Sequence, residues 1–444
     1  ARTPAELLAP RRPRRSWAPP RPGLRGARRH AYGVVGARVP RWAHMDLICG
    51  LFKGCGGRKF IGAAPSSRST DLGWKREAKT PTWAEFFDFE TYVFDCDGVI
   101  WGIDEGDTRT SVETINYLLR HGKRTMFITN NSNKTREDFV RELEQKGIRF
   151  GDDMSEEAKV DMMISASYTT AQYLKSQGLR KPFVITSDVG LLQELKNAGV
   201  DDFFATVPVT EKEGILEKVA NSPEQDFFNS ASMDGGQGIA DVIQQHTDVD
   251  CIVVGWDMSL TARKIATAVN FIKFQEDMRQ GDSDYKEMPI ISCSSDAGGV
   301  FRRADIKDPK TGEIRALKVR AVGNGAMAEA ISRCFDPPRS YLDMGKPSDC
   351  LIKALESPAG YHVNMSKALM VGDTLQTDIV FGNRGGMKTL LVLSGVTTEN
   401  ELKEAEGLSD ASRIPDFFMS KLGAWYELDG SLPPREDSPP PKAE

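Results

Sequence analysis

The chain has 444 residues, of which 40% are hydrophobic and 27% are charged, and its formal net charge at pH 7 is -5. These values are typical of a globular protein with two or three domains, and they give no reason to expect nucleic acid as a partner. No apolar run approaches the roughly 18 residues of a membrane helix, so no membrane partner is expected. The seven cysteines form no C-x-x-C pair that could hold zinc.

The first part of the chain is basic and poor in acids. Residues 1 to about 42 are rich in Arg and Pro, contain one acid, Glu6, and lack apolar periodicity; we therefore expect residues 1–82 to be disordered. The composition is that of an organelle transit peptide, but residues before Met45, the first methionine, are also interpretable as translated leader or an incomplete record. Scattered cysteines suit a reducing compartment, so we expect a cytoplasmic protein, or a chloroplast or mitochondrial one if this segment is a transit peptide.

The first predicted strand ends in a pair of carboxylates. Residues 91–94 form an apolar, β-branched and aromatic run that leads into Asp95 and Asp97, with Gly98 behind them. Ligands in α/β proteins bind at the carboxyl ends of strands, and two acids there repel each other unless a cation such as Mg²⁺ compensates. The alternative is a solvated Asp-x-Asp turn, and this motif alone does not decide between the two.

A second predicted strand, 125–129, lies between two predicted helices, 111–121 and 135–146. A strand–helix–strand unit with a right-handed crossover forms a parallel sheet. Thr129 and Asn130 are therefore expected to leave their strand at the same sheet edge as Asp95.

Residues 179–339 are predicted to form a second α/β unit. Its predicted strands and helices alternate, at 183–186, 191–198, 251–255, 262–274 and 289–292. Residues 221–250 are expected to be irregular, and the sequence 308–312 predicts a hairpin tip. A unit inserted at the carboxyl edge of a sheet can cover a site there as a lid.

The first pattern resumes after this unit. Lys346 precedes a predicted helix at 349–355, the predicted strand 368–372 ends at Asp373, and Asp378 follows shortly before the next predicted strand. The fold class is therefore α/β, with a Rossmann-like parallel-sheet core and a large inserted α/β cap domain. The core is predicted in two parts, 83–178 and 340–428, and the cap lies between them at 179–339. Residues 429–444 are predicted to form a Pro-rich, disordered tail.

Four short motifs thus fall at one sheet edge: Asp95 with Asp97, Thr129 with Asn130, Lys346, and Asp373 with Asp378. Each alone is explained as well by a turn, a helix cap or a surface lysine. Together, three carboxylates suit Mg²⁺, and an ammonium, a hydroxyl and an amide suit a phosphate dianion.

The order of these motifs resembles the haloacid dehalogenase superfamily of phosphotransferases. The matching motifs are D-x-D-G-V, I-T-N-N, G-K-P and V-G-D-x-x-x-x-D-I, spread over about 86–423. The long insertion is similar to that of the family containing phosphoglycolate phosphatase, pyridoxal-phosphate phosphatase and 4-nitrophenylphosphatases. The resemblance implies Mg²⁺-dependent hydrolysis of small phosphomonoesters, with 2-phosphoglycolate as the first expected substrate.

The resemblance also implies roles for the motif residues. Asp95 would be the nucleophile that forms an aspartyl phosphate, and Asp97 the general acid and base. The implied Mg²⁺ ligands are the Asp95 carboxylate, the Asp97 backbone carbonyl and Asp373, with Asp378 in an outer, orienting position.

The phosphate oxygens that are not transferred would be bound by Thr129, Asn130, Asn131 and Lys346. The family analogy leaves a homodimer through the cap open.

The inserted unit leaves the substrate open. The loop 294–299 lacks the histidine that pyridoxal-phosphate phosphatases place there, which weakens that assignment. Nucleotide and sugar phosphates are alternative substrates. Asp257 and Asp296 are candidates for contact with the substrate, but the favoured interpretation is that both are turn residues. A phosphorylatable signalling or scaffold module is the non-enzymatic alternative, but such a module has no use for a second acid at Asp97.

Overall fold

The computed structural model describes residues 78–101, 109–220, 222–230, 236–283, 286–407 and 410–425. The predictions for 1–77 and 426–444 lie outside the described residues. Near the start of the described residues, Lys79 forms a parallel β-bridge with Phe417. Within these described ranges, no helix has both the length and the apolarity that crossing a membrane requires.

The first sheet has six parallel strands. In spatial order they are Phe417–Met419, Lys388–Val392, Ala368–Gly372, Thr91–Phe94, Arg124–Thr129 and Met163–Ser165. The central strand, Thr91–Phe94, is wholly buried. Phe94 is in register with Val371 on one side and Phe127 on the other, so the strands that precede the predicted motifs end at neighbouring positions.

Helices cover both faces of this sheet. Tyr92 and Phe94 pack with apolar residues of the helices Arg109–Arg120 and Arg136–Gln145, whereas Val93 packs on the opposite face. This alternation is the side-chain period of a strand. Among the described residues, the α-helices that precede residue 182 or follow residue 343 are Trp83–Phe87, Arg109–Arg120, Arg136–Gln145, Glu156–Asp161, Ala166–Gln177, Asp349–Glu356, Val380–Gly385 and Glu399–Glu406.

The second sheet has five parallel strands. Their order is Leu342–Asp343, Ile290–Ser292, Cys251–Val254, Pro182–Ile185 and Phe204–Ala205. The helices between residues 182 and 342 are Gly190–Asn197, Pro223–Asn229, Gln237–Gln245, Ala262–Met278 and Asn324–Ser332. Leu342–Asp343 joins this sheet although it lies beyond the predicted boundary at 339; the domain limits themselves stay a prediction.

Two antiparallel hairpins accompany the second sheet. Their strands are Val209–Lys212 with Ile215–Lys218, and Gly298–Lys307 with Ile314–Val322. The longer hairpin turns where the sequence predicts it, because the Gly312 N–H donates to the Asp308 carbonyl and Gly312 has a φ of 76°.

The prediction of irregular structure over 221–250 was wrong, because two helices form there. Ser222 caps the helix Pro223–Asn229, and proline is pre-organised for a first helical turn. In Gln237–Gln245 only Ile239 and Ile243 are buried. This narrow apolar stripe is hidden in a polar sequence, and the packing of the two isoleucines with neighbouring apolar side chains makes the helix stable.

Candidate active site

The carboxyl ends of the first sheet bring the predicted acids and the lysine together. One carboxylate oxygen from each of Asp95, Asp373 and Asp378 lies within 4.8 Å of the others. The Lys346 Nζ lies 2.6 Å from Asp95 Oδ1 and 2.7 Å from Asp378 Oδ1. Lys346 is only 1% exposed, and it reaches this position from 251 residues beyond Asp95.

A tight turn after the strand Ala368–Gly372 positions Asp378. The segment Leu375–Ile379 forms a single π-helical turn, and Asp378 Oδ2 accepts the backbone N–H groups of Asp373 and Thr374 at 3.1 and 3.0 Å. A Cβ atom on Gly372 would overlap the Asp378 side chain. The glycine is therefore required for the close approach of the acid to the strand end.

Asp373 is held by a second set of short contacts. Its Oδ2 accepts the Val396 N–H at 2.6 Å, and its Oδ1 accepts the Thr374 hydroxyl at 2.9 Å. Gly98 and Gly395 lie so close that a Cβ atom on either would overlap the Asp373 carboxylate. The loop from Gly395 to Val396 thus fixes Asp373, and the motif pattern gave no signal of it.

The charges of the cluster do not balance. Burial raises the pKa of Asp373 to about 7, and the neighbouring Asp378 adds to the shift. Burial is also the largest cause that raises the pKa of Asp95, against the opposing effect of Lys346. For Lys346 burial alone would lower the pKa, but the two acids outweigh it and raise the pKa. Three buried carboxylates around one ammonium can accommodate further positive charge.

Asp97 lies outside this cluster and is exposed to the cavity. Its Oδ1 accepts the Trp101 Nε1–H at 2.8 Å, and its Oδ2 accepts the Thr129 hydroxyl at 3.4 Å. These two contacts hold the Asp97 carboxyl group in one orientation. Sequence reasoning missed Trp101, although it follows Asp97 by only four residues.

Asn130 holds the backbone of Lys346. Its Oδ1 accepts the Lys346 N–H at 2.7 Å, and its Nδ2 donates to the Lys346 carbonyl at 3.0 Å. The same Nδ2 lies 3.0 Å from Asp296 Oδ2.

Asn131 has local contacts instead. Its side-chain oxygen accepts the Asn133 N–H, and the Asn131 backbone N–H donates to Thr129 Oγ1. These contacts make the two asparagines positioning residues in addition to the predicted phosphate binding.

A cavity of about 410 Å³ lies over the acids. Its lining residues come from the chain segments that form the first sheet and from those that form the second sheet. The residues from 256 to 324 on its wall include Trp256, Ser294, Asp296 and Asn324. Asp296 lines the cavity, and its Oδ2 lies 3.0 Å from the Nδ2 of Asn130. Asp257 is a turn residue, as expected: it accepts the Ser259 N–H and forms a buried ion pair with Lys264 at 2.7 Å.

Comparisons with known proteins indicate the family of the chain. A haloacid dehalogenase-like hydrolase model matches residues 92–201, and a HAD-hydrolase-like model matches 343–423. Phosphoglycolate phosphatase 1A, chloroplastic, of Arabidopsis thaliana is 32% identical over 341 residues, which cover 75% of this chain and 75% of that protein. Glycerol-3-phosphate phosphatase of Rattus norvegicus is 28% identical over 75% of this chain and 88% of its own length.

Among solved structures, p-nitrophenyl phosphatase from Archaeoglobus fulgidus is 21% identical with a TM-score of 0.49, and the match covers 77% of this chain and 99% of that one.

The curated relatives and the family models define the class of protein: it is a phosphoric monoester hydrolase. The chain belongs to the haloacid dehalogenase-like hydrolases. The resemblance inferred from the four motifs is thereby confirmed.

Proposed function

We propose that the chain hydrolyses small phosphomonoesters with the help of Mg²⁺ through an aspartyl phosphate on Asp95, and that 2-phosphoglycolate is its substrate. The observation that carries this proposal is the Lys346 ammonium between Asp95 and Asp378, beside a third acid, Asp373. The name of the Arabidopsis relative supports the choice of substrate.

The acid cluster fits a divalent cation. Mg²⁺ prefers carboxylate and carbonyl oxygens, and the buried acids outnumber the single ammonium that faces them. Asp95 and Asp373 would hold the ion together with the backbone carbonyl of Asp97, while Asp378 orients Lys346. Mg²⁺ held there would supply positive charge that stabilises the phosphate oxygens.

Asp95 and Asp97 divide the chemistry between them. An Asp95 carboxylate oxygen forms a bond to phosphorus as the ester P–O bond breaks, and Asp97 gives its proton to the departing alkoxide. Asp97 then takes a proton from water, whose oxygen attacks phosphorus. The bond between phosphorus and Asp95 breaks, and inorganic phosphate leaves. The exposed position of Asp97 in the cavity supports this role.

A substrate screen with purified full-length protein tests the proposal. We expect phosphate release from 2-phosphoglycolate and 4-nitrophenyl phosphate that depends on added Mg²⁺ and stops with excess EDTA. Pyridoxal phosphate, a nucleotide, a sugar phosphate and glycerol 3-phosphate, which the rat relative is named for, are the competing substrates. If 2-phosphoglycolate ranks below one of these by kcat/KM, the substrate assignment fails; if no ester is hydrolysed, the proposed function fails.

Replacing Gly395 with alanine is expected to weaken Mg²⁺ binding. The new methyl group would overlap the Asp373 carboxylate and displace it. Changes next to a metal ligand cost roughly 10- to 100-fold in metal affinity, so the Mg²⁺ concentration for half-maximal activity should rise by about that factor.

Gly299→Ala is the matched control, because a Cβ atom at Gly299 meets no atom within 4 Å. An equal Mg²⁺ dependence of Gly395→Ala and Gly299→Ala would contradict a metal role for Asp373.

A further inference from the structure

Lys346 reaches the acids of the first sheet from the edge of the second sheet. The strand Leu342–Asp343 belongs to the second sheet, and the next residue, Met344, still donates its N–H to the Ser292 carbonyl at 3.0 Å. Lys346 follows two residues later, and its ammonium lies 2.6 Å from Asp95 Oδ1. The position of the ammonium therefore depends on how the backbone of this segment is held.

The amide of Asn130 holds this backbone on two sides. Its Oδ1 accepts the Lys346 N–H at 2.7 Å, and its Nδ2 donates to the Lys346 carbonyl at 3.0 Å. A Cβ atom on Gly345 would lie 2.6 Å from Asn130 Oδ1, so the amide packs directly on the segment. A rotation of the Asn130 amide would break both hydrogen bonds and release the backbone that carries the lysine.

Asp296 is the partner of the second hydrogen of this amide. An amide nitrogen carries two hydrogens; one is donated to the Lys346 carbonyl, and the Nδ2 lies 3.0 Å from Asp296 Oδ2. Burial raises the pKa of Asp296, and the hydrogen bond from Asn130 and the charge of Lys346 oppose this shift. Loss of the Asp296 carboxyl would leave one donor of Asn130 without its partner and remove a restraint on the orientation of the amide.

Asp296 is itself fixed within the segments of the second sheet. It lies in the loop between the strands Ile290–Ser292 and Gly298–Lys307. Its carbonyl accepts the Gly325 N–H at 2.9 Å, and a Cβ atom on Gly323 would overlap the same carbonyl. Asp296 is therefore a firm support, supplied by the inserted unit, for a residue that follows a strand of the first sheet.

We propose that Asp296 is a positioning residue, whose carboxyl orients the Asn130 amide so that this amide fixes the Lys346 ammonium where the phosphate binds. This inference rests on the proposed function and deepens it, because it gives the inserted unit a part in placing the lysine. In this role Asp296 acts through an acceptor oxygen, and neither its charge nor a contact with the substrate is required.

Three variants at position 296 separate the acceptor oxygen from the charge. Asp296→Asn keeps an oxygen that can accept from Asn130, Asp296→Ala removes it, and Asp296→Leu removes it while filling the space. We expect kcat for 4-nitrophenyl phosphate, per folded molecule, to fall by about tenfold in the alanine and leucine variants, because small displacements of a catalytic group are costly. The asparagine variant should stay close to the wild type.

Combination with Lys346→Met shows whether Asp296 acts through the lysine. Without the ammonium there is no charge left to position, so Asp296→Ala should hardly change kcat of the Lys346→Met protein. Two independent effects would instead multiply, and the double variant would lose a further factor of about ten. A purely structural role of Asp296 predicts this second result.

Asp305→Ala is the matched control, since Asp305 is exposed on the strand Gly298–Lys307, and it should leave kcat unchanged. Equal losses in Asp296→Asn and Asp296→Ala, an unchanged kcat in the alanine and leucine variants, or multiplied losses in the double variant would each overturn the positioning role and leave the proposed phosphatase activity intact. A wild-type protein that hydrolyses no phosphomonoester would overturn the proposed function, and this inference with it.

Discussion

Replacing Asp95 with asparagine is expected to lower kcat by at least about a thousandfold, which is the order of loss when a nucleophile is removed. The amide is close in shape to the carboxylate but cannot attack phosphorus, and it cannot bind Mg²⁺ as an anion. The measurement is kcat for 4-nitrophenyl phosphate at saturating substrate and Mg²⁺. A variant that keeps more than a tenth of the wild-type kcat would refute the covalent mechanism.

The stability of the same variant separates loss of chemistry from loss of fold. In metal-free buffer Asp95 adds to the repulsion among three buried acids, so Asp95→Asn should not lower the melting temperature. Asp88→Asn serves as the control, because Asp88 is an exposed residue at the end of the helix Trp83–Phe87. A folded but inactive Asp95→Asn protein beside an active Asp88→Asn protein is the expected pair of results.

The lifetime of a phosphorylated intermediate tests the proposed role of Asp97. With Asp97 intact, phospho-Asp95 should turn over rapidly because Asp97 can activate the attacking water. A phospho-Asp95 that persisted for hours in the wild type would contradict the proposed role of Asp97 as the base.

The first sheet was predictable because its strands are short, continuous apolar runs. Thr91–Phe94 and Ala368–Gly372 have the predicted bounds, and both are buried on every residue. Parallel strands place their carboxyl ends at one edge, so the meeting of Asp95 and Asp373 could be inferred without knowing any distance.

Helices with polar buried faces were not predictable in this way. Ala166–Gln177 buries Ser167 and Thr170 completely, and the Thr170 hydroxyl donates to the Ala166 carbonyl at 2.7 Å. A hydroxyl that is hydrogen-bonded within its own helix, as that of Thr170 is, can lie in the interior. The apolar period that indicates a helix is absent from the sequence as a result.

The cavity wall was missed for a different reason. Asn324 and Trp256 come to the site through the packing of the second sheet's segments over the first sheet's edge, and no local pattern marks them. Asn130 was found as a motif residue, but its partner Lys346 is 216 residues away along the chain. The hydrogen bonds of the Asn130 side chain with the Lys346 backbone depend on the tertiary structure, and no local pattern in the sequence indicates them.

Replacing Lys346 with methionine is expected to damage both stability and catalysis. The ammonium is buried between Asp95 and Asp378 and donates to the Ile128 carbonyl at 2.8 Å. Removing one partner of a buried ion pair costs about 3–5 kcal/mol of unfolding free energy. Loss of a charged donor to the phosphate should lower kcat by a further factor of about 10²–10³. Urea unfolding and steady-state kinetics measure the two effects.

A second substitution separates the two roles of the lysine. Asp378→Asn in the Lys346→Met background removes one uncompensated acid, so unfolding free energy should partly recover while kcat stays low, because the ammonium is still missing. Recovery of both quantities together would mean that Lys346 acts only on stability.

Lys264→Met is the matched control for a buried lysine. Lys264 is as deeply buried, and it pairs with Asp257 in the segments of the second sheet rather than with the acids of the first. Its loss should cost a similar unfolding free energy but leave kcat per folded molecule close to that of the wild type. A fall in kcat equal to that of Lys346→Met would show that destabilisation alone accounts for the lost activity, and the assignment of Lys346 to phosphate stabilisation would then be wrong.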